Sequence, residues 1–229
     1  MRKLTITAFV FVLLMVNMNA QSAATKVNQQ ETSDPKAKVI LDRIKKQYDA
    51  YSAIEAAFTL TIEVPEQAKQ TQKGKIIQQG KKYYLELPDQ LIYCDGATVW
   101  YYLKNNNEVQ INNADDGNQE AILTPKDLLK LYQRNDYLYA LVGEATENSK
   151  LVQYIEFKPT SRSNVYSKLR LSVDKTTSAI NSIKAFSRDG SRYTLTINSL
   201  TPNKTYAATY FTFNKAKYPG LRVEDLRIE

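Results

Sequence analysis

The chain has 229 residues, a single cysteine, no histidine and a formal charge of +7. Without histidine there is no Ser-His-Asp or Cys-His nucleophile system, no H-E-x-x-H zinc site and no imidazole acid–base chemistry. With only Cys94 there is neither an internal disulfide nor a cysteine-rich metal site. The seven glycines show no phosphate-binding or dinucleotide-binding spacing, and no carboxylate pair or Ser-Lys dyad is suggested by its spacing. The composition therefore predicts a protein that is not an enzyme and carries no cofactor or metal. Its basic residues, among them Lys73, Lys75, Lys81, Lys82, Lys215 and Lys217, are scattered along the chain. A nucleic-acid binder would gather them into a stripe, so no nucleic-acid partner is expected. The sharper use for this charge is attraction to anionic headgroups or to an acidic partner surface.

Arg2 and Lys3 precede an apolar run from Ile6 to Val16, and Met18-Asn19-Ala20 ends on a small residue. This reads as a signal peptide over residues 1–20, too short to span a bilayer as a helix. No cysteine follows the run, so the leader is not of the lipoprotein type. Removing Arg2 and Lys3 leaves a charge of +5. Export without disulfides points to a bacterial envelope, and the expected location is the periplasm. Residues 21–33 are small and polar and read as a flexible linker. Residues 34–229 show no internal boundary and no repeat, and are expected to form one domain.

The domain opens with Asp34-Pro35, a cap followed by the residue best suited to the first helical position. Ala37, Ile40, Leu41, Ile44, Tyr48 and Tyr51 recur at the spacing of one helix face, with charged residues mostly opposite. The period then changes to two. Phe58, Leu60, Ile62 and Val64 alternate with polar residues up to Pro65. Gly74–Gln79 and the run Tyr83, Leu85, Leu87 follow as strands. Asn105-Asn106-Asn107 marks a turn into Glu108–Ile111. Beyond a polar loop, Thr124-Pro125-Lys126-Asp127 caps a short apolar helix containing Leu128, Leu129, Leu131 and Tyr132. Nine or ten residues do not hold a helix alone, so packing must hold it. Strand patterns then resume at Tyr137–Val142, Leu151–Phe157, Leu169–Val173, Ala179–Ser187, Tyr193–Ile197 and Tyr210–Phe213, with Asp189-Gly190 as a hairpin turn. Pro219-Gly220 precedes a last short run, Leu221–Val223.

The stretch Leu91–Leu103 is the centre of this pattern. Asp95-Gly96 separates two β-rich arms and is a strong hairpin signal, because glycine accepts the positive φ of a tight turn. The second arm is apolar on both faces: Thr98, Trp100 and Tyr102 alternate with Val99, Tyr101 and Leu103. Either the hairpin is covered on both sides or one face lines a hollow. About ten or eleven antiparallel strands are too many for a flat sheet. The expected fold class is α+β, a strongly curved antiparallel sheet with a few helices across its mouth.

Three segments resemble the LolA-type periplasmic carriers of outer-membrane lipoproteins. One is the entry helix running into Tyr51-Ser52-Ala53-Ile54-Glu55-Ala56-Ala57-Phe58-Thr59. Another is Cys94-Asp95-Gly96-Ala97-Thr98-Val99-Trp100-Tyr101-Tyr102, similar to that family's Asp-Gly-x-x-Leu/Val-Trp-x-Tyr hairpin. The last is Phe211-Thr212-Phe213 with Pro219-Gly220-Leu221-Arg222-Val223-Glu224-Asp225-Leu226-Arg227, similar to the family's closing strand and Val-x-Asp-x-Arg end. Their order spans most of the mature chain.

The resemblance implies an unclosed β-barrel with a helical lid over a hydrophobic cavity that takes up acyl chains. The residues assigned to acyl-chain binding are Phe58, Leu60, Ile62, Tyr83, Leu85, Leu87, Trp100, Tyr102, Leu128, Leu131, Leu171, Tyr193, Leu195 and Phe211. On the central arm the side carrying Trp100 and Tyr102 is assigned to the hollow. The partners implied are an acylated lipoprotein cargo, an inner-membrane lipoprotein-releasing ABC exporter and an outer-membrane acceptor, with the carrier itself a monomer. The family often has an arginine before the hairpin that latches the lid. Here Gly80-Lys81-Lys82-Tyr83-Tyr84-Leu85 offers only Lys82 as a latch, without the planar fork of arginine. Two further functions are consistent with this architecture: a lipid- or lipoprotein-sensing module of an envelope stress response, and a carrier of free lipid or glycolipid.

Overall fold

In the computed structural model, residues 32–114, 129, 131–133, 136–147 and 149–227 are described. The expected leader (1–20), most of the expected linker (21–31) and Thr124–Leu128 of the second helix lie outside them. Helix α1 (Pro35–Asp49) begins where the cap predicts: the Asp34 side chain accepts from the Lys36 N–H, and Pro35 occupies the first turn. Ala37, Ile40, Leu41, Ile44 and Tyr48 form its buried stripe. Burying Ile40, Leu41 and Ile44 stabilises the fold by about 2 kcal/mol each. Tyr51 falls beyond the helix end and packs half-buried against the same core.

Twelve strands make one sheet: β1 (Ile54–Glu63), β2 (Gln70–Gln79), β3 (Lys82–Glu86), β4 (Gln90–Cys94), β5 (Thr98–Leu103), β6 (Glu108–Asn113), β7 (Tyr137–Glu147), β8 (Lys150–Pro159), β9 (Tyr166–Asp174), β10 (Ile180–Ser187), β11 (Arg192–Pro202) and β12 (Arg222–Asp225). Their order is β12-β6-β5-β4-β3-β2-β1-β11-β10-β9-β8-β7. Thus β1 and β11 close the middle of the sheet, while β7 and β12 are edges that do not pair with one another. The sheet is curved and unclosed, as a sheet of this size must curl to bury its apolar face.

Both Asp-Gly turns form as expected. Gly96 has φ +101°, and Asp95 Oδ1 accepts from Ala97 N–H at 2.9 Å and Thr98 N–H at 2.8 Å. Asp189 accepts from Ser191 N–H between β10 and β11. Two expectations near the C-terminus are corrected. Tyr210–Phe213 is not a strand: Ala208–Phe211 is a 3-10 turn, and the segment lies across the sheet. Neighbouring strands there are already paired on both sides, so its aromatic rings bury by lying flat on a face instead. The last run does form a strand, but β12 is parallel to β6, not antiparallel. Asn107 directs it, accepting from the Arg222 N–H and donating its side-chain amide to Pro219 O at 2.9 Å. The pairing covers what would otherwise be a bare edge of β6.

Candidate apolar binding face

Strand alternation divides the buried side chains into two cores on opposite faces of the sheet. The core on the face carrying α1 takes Phe58 from β1, Ile76 from β2, Leu85 from β3, Ile92 and Cys94 from β4, and Val99 from β5. It continues through Ile183 (β10), Leu169 and Leu171 (β9), Ile155 and Phe157 (β8) and Tyr139 (β7). Cross-strand register joins these into continuous rows, for example Ile76–Leu85–Ile92 and Leu195–Ile183–Leu171–Ile155. Leu60, Tyr83, Leu87, Tyr101, Tyr193, Leu195 and Ile197 pack against this core but are only half-buried. This face therefore offers apolar surface beyond what α1 covers.

Four hydrogen bonds hold the cover in place. The Asp34 N–H donates to Tyr139 O at 2.8 Å, and Asp34 Oδ2 accepts the Leu141 N–H at 3.1 Å, so the start of α1 is tied to edge strand β7. At the other end Tyr48 Oη accepts the Ile180 N–H at 3.3 Å, tying α1 to β10. Burial pushes the Tyr48 phenol up to about 12. Between them, the Tyr132 hydroxyl donates to Asp42 Oδ1 at 3.0 Å. Leu129 and Leu131 are helical and buried in the α1-side core, with Tyr132 in the turn that follows. The hydrogen bond from Lys38 is the main reason the Asp42 carboxyl lies below its usual range.

A close approach fixes one wall of this face. Gly74 is the register partner of Phe58, and a Cβ on Gly74 would come within 2.3 Å of Phe58 Cζ. The ring of Phe58 lies over the glycine and is buried there. Nearby, a groove of about 250 Å³ is lined by Lys73, Gly74, Lys75, Glu86, Leu87, Pro88 and Lys104. Its charged rim does not suit an alkyl chain.

The opposite face carries the second core: Ile77, Tyr84, Leu91, Tyr102 and Val109 from the sheet, with Phe211 and Phe213 laid over them. Trp100, Tyr93, Tyr206, Tyr218 and Leu221 pack against it. Phe213 and Tyr218 stack at 4.9 Å, and Tyr218 meets Tyr102 at 4.2 Å. Glu55 anchors this strap through Lys204 and Tyr206, and also pairs with Lys75 of β2. Those contacts, Lys204 first, lower the Glu55 carboxyl to about 2.

The sequence-predicted residues are thus split. Phe58, Leu60, Tyr83, Leu85, Leu87, Leu131, Leu171, Tyr193 and Leu195 come together on the α1 face. Ile62 joins them by alternation on β1, opposite Tyr193. Trp100, Tyr102 and Phe211 do not: their place is the other face, beneath or within the C-terminal strap. On β5 it is Val99 and Tyr101 that meet the α1 side. The reason is parity, since Tyr101 pairs with Ile92 while Tyr102 pairs with Leu91. Lys82 opens β3 on the alternation of Tyr84 and so leaves the sheet on the face away from α1. Leu128 lies outside the described residues. Sequence reasoning missed the clamp role of Asp34 and the Tyr132–Asp42 link. Asp34 was legible only as a helix cap, because its second partner is on β7.

Among the described residues, no group of three His, Cys, Asp or Glu side chains is placed to hold a metal ion. No helix among them is long and apolar enough to cross a membrane.

The model of a family described as outer membrane lipoprotein carrier protein LolA matches residues 49–214. An uncharacterized protein of Methanocaldococcus jannaschii is 24% identical over 151 residues, 63% of this chain. That stretch spans 42% of the relative's own length. Among solved structures, an uncharacterized conserved protein from Thermus thermophilus superposes with a TM-score of 0.54 at 12% identity, covering 83% of this chain and 99% of that one. A LolA superfamily protein from Nitrosomonas europaea is similar with a TM-score of 0.42 at 12% identity, covering 77% of this chain and 97% of that one. With the family model spanning most of the chain, from the end of α1 into the strap, this protein belongs to the LolA family of outer-membrane lipoprotein carriers.

Proposed function

We propose that this protein is a periplasmic carrier that shields the acyl chains of lipoproteins against the α1 face of its sheet. It would receive them from an inner-membrane ABC exporter and pass them to an outer-membrane acceptor. The observation that carries the reading is the set of half-buried apolar side chains, Leu60, Tyr83, Leu87, Tyr101, Tyr193 and Leu195, spread over the α1 face beside a cover held by few polar links. An acyl chain lying against that surface is removed from water at about 0.8 kcal/mol per methylene. Family membership supports the same reading. The cover is tied to the sheet through Asp34, Asp42 and Tyr48 in addition to the buried stripe of α1.

The test is depletion of the protein in its host, followed by fractionation of acylated lipoproteins. The expected result is their retention at the inner membrane; unchanged sorting would reject the reading. Mass spectrometry of material co-purified with the protein separates cargoes. A free lipid or glycolipid, with no lipoprotein, would reassign the site to carriage of that molecule.

A further inference from the structure

The two halves of the outer face, the one away from α1, are built differently. Over β2–β6 the aromatic strap covers it. Over β8–β11 the described residues contain no such cover, and two half-buried rings, Phe186 and Tyr154, stand among cations, with Arg170 Cζ 5.8 Å from the Tyr154 ring centroid. Lys168 Nζ is 4.7 Å from the Phe186 ring centroid, Lys184 Nζ 5.5 Å, Arg170 Cζ 5.7 Å and Arg192 Cζ 6.0 Å. Alternation places Phe186 outward, because its neighbour Ala185 belongs to the α1-side core. Register holds the group rigid: Phe186 pairs with Lys168 on one side and Arg192 on the other, and Lys184 pairs with Arg170.

Two carboxylates answer these four cations. Glu156 lies 2.8 Å from Lys168 and 2.5 Å from Arg170, and Glu63 lies 3.5 Å from Lys184. The patch therefore keeps an excess of positive charge on three adjacent paired strands. Crowding like charges on one face is unfavourable unless an anion answers them. Cations set around aromatic rings on one sheet face match a layer of anionic headgroups, into which the rings enter at the interface while the cations meet phosphates.

We propose that this patch is a membrane-docking surface for bilayers rich in anionic phospholipid, separate from the apolar face that takes acyl chains. It presents the sheet's outer face to the headgroups and leaves the α1 side free. The proposal does not rest on the identity of the cargo.

The test is co-sedimentation of the full chain with two vesicle types: phosphatidylcholine alone, and phosphatidylcholine mixed with phosphatidylglycerol. The expected result is binding to the mixed vesicles only, weakening as salt is raised. The double variant Lys184→Gln, Arg192→Gln should bind the mixed vesicles about twenty-five-fold more weakly, at roughly fivefold per cation near the surface. Uptake of a fluorescent fatty acid by the same variant should be unchanged, which reports an intact α1 face. Equal binding to neutral vesicles, no binding to either, or an unaffected double variant would each overturn the proposal. So would capture of a polyglutamate peptide with no vesicle binding, which would assign the patch to an acidic protein.

Discussion

The carboxylate of Asp34 accepts the backbone N–H of Leu141, 107 positions later in the chain, at 3.1 Å, while its other oxygen caps α1 at Lys36. One side chain thus joins the cover to the sheet's edge. Asp34→Ala should cost about 1–3 kcal/mol, since it removes a cap and leaves an edge amide without its partner. Urea unfolding monitored by circular dichroism measures this. The bond to the Leu141 N–H is the largest cause holding the Asp34 carboxyl below its usual value of 3.8. A depressed carboxyl stabilises the fold above its unfolded pKa, and that contribution is lost as pH falls through the folded value. Asp34→Asn should therefore lose stability at neutral pH yet show a shallower acid limb below about pH 4. Parallel acid limbs for the two proteins would show that Asp34 does not titrate between the two states.

Tyr132 and Asp42 test the cover itself. Tyr132→Phe keeps the ring packed in the α1-side core and removes only the bond to Asp42. Asp42 is partly exposed and also paired with Lys38, so the stability loss should stay near 1 kcal/mol. The dissociation rate of a fluorescent fatty acid should rise several-fold by stopped flow. An unchanged rate would mean that this link does not gate the apolar face.

Gly74 and Phe58 test the wall. With no room for a Cβ, Gly74→Ala should drive the Phe58 ring from its place and destabilise the protein by about 1–3 kcal/mol. Phe58→Leu in the Gly74→Ala background should recover part of that loss, because the smaller side chain vacates the contested space. A strictly additive double mutant would show that the two sites do not compete for volume.

Trp100 separates the two faces. Packed with the C-terminal strap, its fluorescence should stay constant as a fatty-acyl ligand fills the α1 face. Phe213→Ala, which opens the strap, should shift the emission to the red. Ligand-induced change at Trp100 would instead place acyl chains under the strap.

Local patterns were enough for much of this molecule. The Asp34-Pro35 start, the stripe from Ala37 to Tyr48 and the two Asp-Gly hairpins depend on residues a few positions apart, and each formed as read. Strand alternation also brought Phe58, Leu85, Leu171 and Leu195 to a common face without any knowledge of the sheet order.

Which face that was depended on partners far away in the chain. Trp100-Tyr101-Tyr102 is aromatic on both sides, and no short-range signal separates the side under α1 from the side under the strap. Phe211 and Phe213 looked like a strand, but a strand needs a free edge, and the pairing of β1 with β11 leaves none in the middle of the sheet. The strap, the parallel β12 and the second bond of Asp34 all join residues that meet only once the sheet has curled. Hydrogen-bond geometry and ring packing between distant segments decided them, and those terms have no period in the sequence.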